Sequence, residues 1–171
     1  MKSIIQTGIL LSALTGFAAH ATTTATANFQ VKLTITESCT ITAVPATADI
    51  DFGTVARTTA ALTNGVSGQL SINCSADTPY LIGLNGGLNS ATPLAPSLGE
   101  RRMKHSTAAT LVPYDLFQDL GHSIFWGNTA GSLFSKKGIG SAELIPVFGY
   151  LTNANFQAGV YTDTVTATIT Y

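Results

Sequence analysis

Apolar residues alternate with threonines through the last residues of the chain, from Tyr161 to Tyr171, with Asp163 as the exception among the odd positions. Val165, Ala167, Ile169 and Tyr171 fall on one side of this pattern. A period of two with β-branched residues is typical of a β-strand that buries one face. No further segment follows in the sequence. We therefore expect a final strand with one open edge, which needs a pairing strand from elsewhere.

The same alternation recurs along the whole chain, with turn-forming residues between the segments. Short strands at regular spacing, without helical periodicity, indicate a single all-β sandwich domain. Two stretches rich in Gly, Pro or Ser, residues 88–102 and 128–140, are predicted to be loops. The predicted strands are residues 25–35, 39–41, 48–55, 69–74, 80–84, 103–105, 111–117, 123–126, 144–151 and 161–171.

The first 21 residues have the features of a secretory signal peptide. Lys2 supplies a positive charge, a short apolar stretch follows, and Ala19-His20-Ala21 matches the cleavage pattern. The apolar stretch is too short to favour the alternative, an N-terminal membrane anchor. We therefore expect residues 1–21 to be removed. The mature chain of 171 − 21 = 150 residues is expected to be secreted, with no direct membrane anchor.

Charge is sparse, and this excludes several classes of partner. Only 10% of the residues are charged, with 8 Lys and Arg against 9 Asp and Glu. Ordinary globular domains contain about 25% charged residues. Without a basic surface, binding to nucleic acid is not expected. Nothing in the sequence indicates a cofactor.

The two cysteines, Cys39 and Cys74, are predicted to form one disulfide. An even number of cysteines behind a signal peptide indicates oxidation outside the cytoplasm. The ligand spacing of a metal site is missing. A free catalytic thiol is the weaker alternative, because no histidine accompanies either cysteine in a recognisable pattern.

No catalytic motif is complete, so the chain is not expected to be an enzyme. The basic cluster from Arg101 to His105 is expected to lie on a solvated surface. The same expectation holds for the carboxylates of Asp49, Asp51 and Asp115. Trp126 is expected to belong to the core or to line a groove rather than to bind a sugar.

Several of these segments together resemble the spore coat protein U domain, a family that includes pilins of archaic chaperone–usher pili. The resemblance covers the mature chain, and its most specific part is the Gly-x-Tyr-x-Asp-Thr-Val ending at residues 159–165. The other parts are the N-terminal alternating strand, the early Cys39, Asp51–Val55 (DFGTV), Ser71–Cys74 (SINC) and Pro146–Gly149 (PVFG).

The resemblance implies an incomplete immunoglobulin-like sandwich that lacks its final strand and is completed by donor-strand complementation. A periplasmic chaperone would first fill the groove. At the outer-membrane usher, the N-terminal strand of the next subunit would then replace the chaperone. Residues 22–36 would be the donor strand and residues 37–171 the pilin domain. The donor side chains would be Ala27, Phe29, Val31, Leu33 and Ile35, and the acceptor groove would be lined by Val165, Ala167, Ile169 and Tyr171.

The function implied by the resemblance is that of a structural pilin in a surface fimbrium used for adhesion and biofilm formation. Its partners would be identical or related pilins, the chaperone and the usher. Alternatives remain open: a spore or cell-surface coat protein, or a minor or adaptor fimbrial subunit that binds a ligand. From the pattern alone, residues 25–35 could also be the first strand of the chain's own sandwich.

Overall fold

The computed structural model describes residues 22–43, 49–62 and 67–171. The chain divides into two compact units, residues 1–34 and 35–171. In the first unit, the described residues 22–34 are exposed and belong to no strand or helix. The strand predicted at residues 25–35 is therefore not formed in this structure. The predicted signal peptide, residues 1–21, lies outside the described residues.

The second unit is built from antiparallel β-strands in two sheets. One sheet has six strands in the order β1-β2-β7-β5-β4-β8, and the other has three in the order β6-β3-β9. The all-β prediction is confirmed, since the described ranges contain no helix. The strands are β1 (Cys39–Ala43), β2 (Ser67–Cys74), β3 (Pro79–Leu84), β4 (Arg101–His105), β5 (Leu111–Phe117), β6 (Phe134–Lys137), β7 (Ala142–Tyr150), β8 (Tyr161–Thr162) and β9 (Ala167–Thr170).

The core lies between the two sheets and is formed by alternate residues of their strands. Trp126 is completely buried, stacks on Phe134 and donates a hydrogen bond from its indole Nε1 to the Ile82 carbonyl (2.9 Å). Because the only polar atom of its ring is satisfied, this large side chain stabilises the core without a desolvation cost. The expectation that Trp126 belongs to the core is confirmed. The other buried apolar residues include Ile72, Tyr80, Ile82, Leu84, Val112, Leu116, Ile145 and Val147.

Residues 49–55 differ from the strand predicted there, because a tight turn interrupts them. The Asp51 carboxylate accepts a hydrogen bond from the Gly53 amide (2.7 Å), and Gly53 has a positive φ of 72°. A left-handed residue does not fit a β-ladder, so the segment forms no strand. Ile50 and Phe52 nevertheless pack against the core, as their alternation suggested.

Residues 128–140 were predicted to be a loop, but they contain β6, which pairs with β3. The glycines and serines concealed a short strand in which Phe134 is half-buried, while Lys136 and Lys137 are exposed. The strand predicted at residues 123–126 is reduced to a single bridge between Phe117 and Phe125. No helix of the described residues is long and apolar enough to cross a bilayer.

A disulfide joins Cys39 to Cys74, which face each other across β1 and β2. It closes a loop with a sequence separation of 35 residues and fixes the outer strand of the large sheet to its neighbour. The chain-entropy model assigns such a loop about 3–4 kcal/mol of stabilisation.

We therefore predict that reduction of the disulfide lowers the free energy of unfolding by about 3 kcal/mol. Urea unfolding of the oxidised and the reduced chain, followed by fluorescence of Trp126, measures the difference. The double variant Cys39→Ala/Cys74→Ala is the control, since its unfolding should not respond to reductant. An equal urea midpoint for the oxidised and reduced chains would contradict the prediction.

Candidate functional site

The alternation of residues 161–171 is preserved in the structure, but the segment is divided between the two sheets. Its first part, β8, pairs with β4 in the six-stranded sheet, and its second part, β9, pairs with β3 in the other. The side chains at odd positions 161–169 are half-buried, and those at even positions 162–170 are exposed. One segment of chain thus connects both layers of the sandwich.

Both partner strands pair with the same edge of this segment. The Ser106 amide donates to the Val160 carbonyl (2.9 Å), and the Asn85 amide donates to the Thr166 carbonyl (3.0 Å). Main-chain groups of successive residues in a strand point to opposite edges. Even-numbered residues therefore bond to β4 and β3, and residues 163, 165, 167 and 169 direct their N–H and C=O groups to the other edge. Among the described residues, no strand pairs with that other edge, which we call the open edge.

The strand β1 lies beside part of the open edge. It is the outermost strand of the large sheet, and it lies close to β9 without pairing with it. The Ser75 amide donates to the Ser38 carbonyl (2.9 Å). The main-chain N–H and C=O groups of the even residues of β1 therefore point to β2, and those of the odd residues point away from it. We call the space between β1 and β9 the open groove. The sequence predicted one wall of this groove, but it could not identify β1 as the other.

Three of the four residues predicted to line an acceptor groove lie on the inward face of the final segment. Val165, Ala167 and Ile169 are half-buried and pack against the core, as do Cys39 and Ile41 from β1. The fourth predicted residue, Tyr171, follows the end of β9 and is 57% exposed. The predicted donor side chains Ala27, Phe29, Val31, Leu33 and Ile35 are all exposed.

A cleft with a volume of about 680 Å³ opens beside the start of the same segment. Residues 50–57 line one side of the cleft and residues 154–161 line the other. Its apolar surface comes from Phe52, Val55, Met103, Val112 and Phe156 among others. Sequence reasoning missed this cleft, because its wall at residues 50–57 was expected to be a paired strand.

Asp163 fixes the segment at the point where it passes from one sheet to the other. Its carboxylate accepts hydrogen bonds from the Leu88 amide (3.0 Å), the Asn89 side-chain amide (2.9 Å) and the Tyr114 hydroxyl (2.7 Å). A Cβ atom at Gly87 would overlap the same carboxylate, and Gly87 has a φ of +81°. Burial raises the pKa of Tyr114, and its hydrogen bond to Asp163 adds to this effect. The hydroxyl therefore remains a donor at neutral pH.

A buried arginine connects the end of β3 to the core. Arg101 is completely buried, and its guanidinium donates to the carbonyls of Asn85 (2.9 Å), Leu84 (2.8 Å) and Trp126 (2.7 Å). It also lies over the ring of Phe125, 5.3 Å from the centroid. Burial lowers the pKa of Arg101 to about 10, which still leaves the side chain charged at neutral pH.

His105 bonds through both of its ring nitrogens, and Nε2 holds the chain just before the final segment. Nδ1 accepts hydrogen bonds from the amides of Thr107 and Ala108 (both 3.1 Å), so the proton lies on Nε2, which bonds to the Ala158 carbonyl (3.1 Å). The ring also meets Tyr161 edge-on, at 5.0 Å between centroids. His105 therefore anchors the chain just before β8 and packs against the first residue of β8.

The expectation that the basic cluster and Asp115 are solvated is wrong for three residues. Arg101 and His105 occupy inward positions of β4 and are buried. Asp115 is only 8% exposed, and its carboxylate accepts a hydrogen bond from the Gly99 amide (2.7 Å). Burial raises the pKa of Asp115. The sequence pattern indicated a strand only from Met103 onwards, and the charge of the cluster argued for a solvated surface.

Most polar atoms of these buried groups bond to the main chain or to one another, with Nη1 of Arg101 as an exception, and the bonds hold the final segment in place. Among the residues that the structure describes, no group of three or more His, Cys, Asp and Glu side chains is placed to bind a metal ion. The arrangement leaves the main-chain N–H and C=O groups of the open edge available for hydrogen bonds, beside apolar side chains.

Comparison with known proteins agrees with the resemblance noted from the sequence. The family model described as Spore Coat Protein U domain matches residues 25–168. Protein U of Myxococcus xanthus is 29% identical over 176 residues, covering 100% of this chain and 98% of that protein.

A solved structure is also similar: the CsuC-CsuE chaperone-tip adhesion subunit pre-assembly complex from the archaic chaperone-usher Csu pili of Acinetobacter baumannii. The TM-score is 0.52 and the sequence identity is 25%. The match covers 81% of this chain and 41% of that chain, so this chain spans less than half the length of its structural relative.

The contacts of Asp163 predict that Asp163→Ala lowers the free energy of unfolding by about 2–3 kcal/mol, because the hydroxyl of the buried Tyr114 and two loop donors lose a charged acceptor. Urea unfolding measures the loss, and hydrogen exchange at the Leu88 amide reports it locally. The matched control is Thr164→Ala, since Thr164 is the next residue and is exposed. Equal effects of the two substitutions would argue against an anchoring role for Asp163.

Proposed function

The chain belongs to the Spore Coat Protein U domain family, and on that premise we propose that it is a pilin-type structural subunit which polymerises by donor-strand exchange. In this proposal residues 37–171 form the acceptor domain and residues 22–36 supply the donor strand to the next copy. The product is a surface fibre that serves adhesion and biofilm formation.

The open edge is the observation that carries the proposal. The open-edge residues 163, 165, 167 and 169 direct main-chain groups towards β1. The odd residues of β1 direct their own main-chain groups towards that edge, and no described strand pairs with either set. A strand added between β1 and β9 can bond to both, so the two sheets become continuous through it. This is recognition by β-strand addition, in which the main chain provides affinity and alternate side chains provide specificity.

The proposed donor segment has the side chains that such a groove requires. Phe29, Val31, Leu33 and Ile35 are 80–88% exposed, which is costly for large apolar groups unless a partner covers them. Burial of each would contribute about 1.5–3 kcal/mol. Their period of two matches that of Val165, Ala167 and Ile169 across the groove. The cleft beside Tyr161 offers further apolar volume at one end of the inserted strand.

The proposed partners follow from the same exposed groove. Before assembly, the groove needs a protective strand, and we assign that role to a periplasmic chaperone. The similarity to a chain from a chaperone–tip adhesion subunit complex supports this assignment. An outer-membrane usher would then exchange the chaperone for the next subunit.

A coat protein is the second candidate, and one observation favours it. The end-to-end match to Protein U, which covers 98% of that protein, is to a member of similar length. A coat layer could use the same strand exchange without forming a free fibre. Electron microscopy distinguishes the two, because only a pilin leaves thin fibres that disappear from cells lacking this chain.

We predict that deletion of residues 22–35 abolishes polymerisation, because the acceptor groove then has no donor. Phe29→Ala should weaken polymers, whereas Gln30→Ala, at the adjacent position of opposite parity, should not. The measurement is the ladder of oligomers in electrophoresis of unboiled samples. Persistence of the wild-type ladder in the deletion variant would refute the proposal.

The groove can be tested separately by placing a copy of residues 25–35 after Tyr171 through a short flexible linker. With residues 22–35 removed from the N-terminus, this chain should be a monomer that melts at least about 10 °C higher than the same deletion without the graft, since it buries several large side chains. A graft with Asp at the positions of Phe29 and Val31 is the control and should give no stabilisation. Equal melting temperatures for the deletion variant with and without the graft would contradict an acceptor groove at β9.

A further inference from the structure

Three hydrogen bonds hold the residue immediately before β1 against the turn that follows β2. The Ser75 amide donates to the Ser38 carbonyl (2.9 Å), and the Ser38 amide donates to the Ser75 hydroxyl oxygen (3.2 Å). The same hydroxyl donates to the Ser38 carbonyl at 3.4 Å. The Cys39–Cys74 disulfide lies directly beside this pair. We call the contacts between Ser38 and Ser75 the serine clamp.

The turn that carries Ser75 is itself fixed. The Thr78 amide donates to the Ser75 carbonyl (3.2 Å), and the Gly140 amide donates to the Cys74 carbonyl (3.1 Å). A Cβ atom at Gly138 would overlap the Ser75 carbonyl, so the loop before β7 packs closely on this turn. The clamp therefore holds Ser38 to a rigid part of the domain.

In the proposed function, the donor segment can enter either the groove of its own chain or the groove of another copy, and the serine clamp affects this choice. The donor segment precedes β1 in the same chain, and β1 borders the open groove. The segment could in principle fold back as a hairpin with β1 and fill the groove of its own chain. Such a subunit would be closed to any neighbour.

Geometry makes this hairpin depend on Ser38. The main-chain groups of the odd residues of β1 face the groove, and the donor side chains that must point inward are also at odd positions. The shortest hairpin that meets both conditions pairs Ile35 with Cys39. Its loop would be residues 36–38. A three-residue hairpin loop ends with a residue in the left-handed conformation, which is normally glycine. That residue would be Ser38, which has no positive φ in the structure. Its two main-chain groups would also leave Ser75.

We propose that the serine clamp is a specificity determinant: it keeps the donor segment out of the groove of its own chain and so reserves the groove for another copy. Ser75 acts here as a positioning residue, through the main chain of Ser38. This inference rests on the proposed function, since it presupposes that residues 25–35 fill a groove of this kind. It assigns to Ser38 and Ser75 a role in the choice between closure within one chain and exchange between chains.

The test is the double variant Ser38→Gly/Ser75→Ala, which removes the side-chain bonds of the clamp and allows a left-handed residue 38. The mature chain, residues 22–171, is refolded at low concentration with its disulfide formed, and monomer and polymer are separated by size exclusion. The ratio of closed monomer to polymer should rise about tenfold or more, given the hydrogen bonds lost and the left-handed conformation gained. The monomer should melt at a higher temperature than the unassembled wild-type chain.

Further variants separate closure from simple damage. Adding Phe29→Ala to the double variant should lower the melting temperature of the monomer, because Phe29 is inserted only in the closed form. Ser75→Thr keeps the hydroxyl and should polymerise as the wild type does. Ser141→Ala, at an exposed serine before β7, is the matched control. Ser38→Gly alone leaves Ser75 intact and should shift the ratio in the same direction if the double variant folds poorly.

Each outcome assigns the failure to one hypothesis. If both Ser38→Gly and the double variant polymerise like the wild type, without stable monomer, the serine clamp does not control closure. Loss of polymer on deletion of residues 22–35 would in that case still support the proposed function. If that deletion polymerises normally, both the proposed function and this inference are overturned.

Discussion

The main-chain groups of residues 163, 165, 167 and 169, which no strand of the described residues pairs, are the constraint on which the rest of the domain depends. These odd-numbered residues direct their side chains inward and their N–H and C=O groups to the open edge. Side-chain packing alone therefore cannot close the groove, because it would bury main-chain groups without partners, at a cost of about 1–3 kcal/mol for each. A strand is the only kind of occupant that supplies bonding partners along the whole edge. Left uncovered, such an edge promotes aggregation.

A strand with one free edge must be held by other means, and the structure uses buried polar side chains for this. His105 anchors the chain around Tyr161, Asp163 binds the loop after β3, and Arg101 connects that loop to the core at Trp126. Burying these groups is unfavourable unless they are bonded. Because most of their bonds go to main-chain atoms or to one another, they are stabilising only in this one arrangement.

The sequence predicted the layers of this fold better than it predicted their connections. Strict alternation correctly located the inward faces of β2 and the final segment, because a period of two follows directly from strand geometry. It failed at residues 49–55, where the Asp51 side chain bonds to a left-handed Gly53 and ends the ladder. It also failed at residues 128–140, where β6 is formed through pairing with β3. Local pattern cannot register a turn made by one side chain, or a strand formed by pairing with a distant segment.

The site shows the same limit more sharply, since a pattern reports which face of a strand is apolar but not which edge is paired. In residues 161–171 the faces were evident from the sequence, whereas the open edge became apparent only through the bonds to Asn85 and Ser106. In β1 the paired edge is identified by the bond from the Ser75 amide to Ser38, which shows that the main-chain groups of the even residues bond to β2. A few polar contacts far apart in sequence thus decide which main-chain groups remain available. Because strand addition depends on those groups, the choice of partner is encoded in these contacts as much as in the alternating apolar residues.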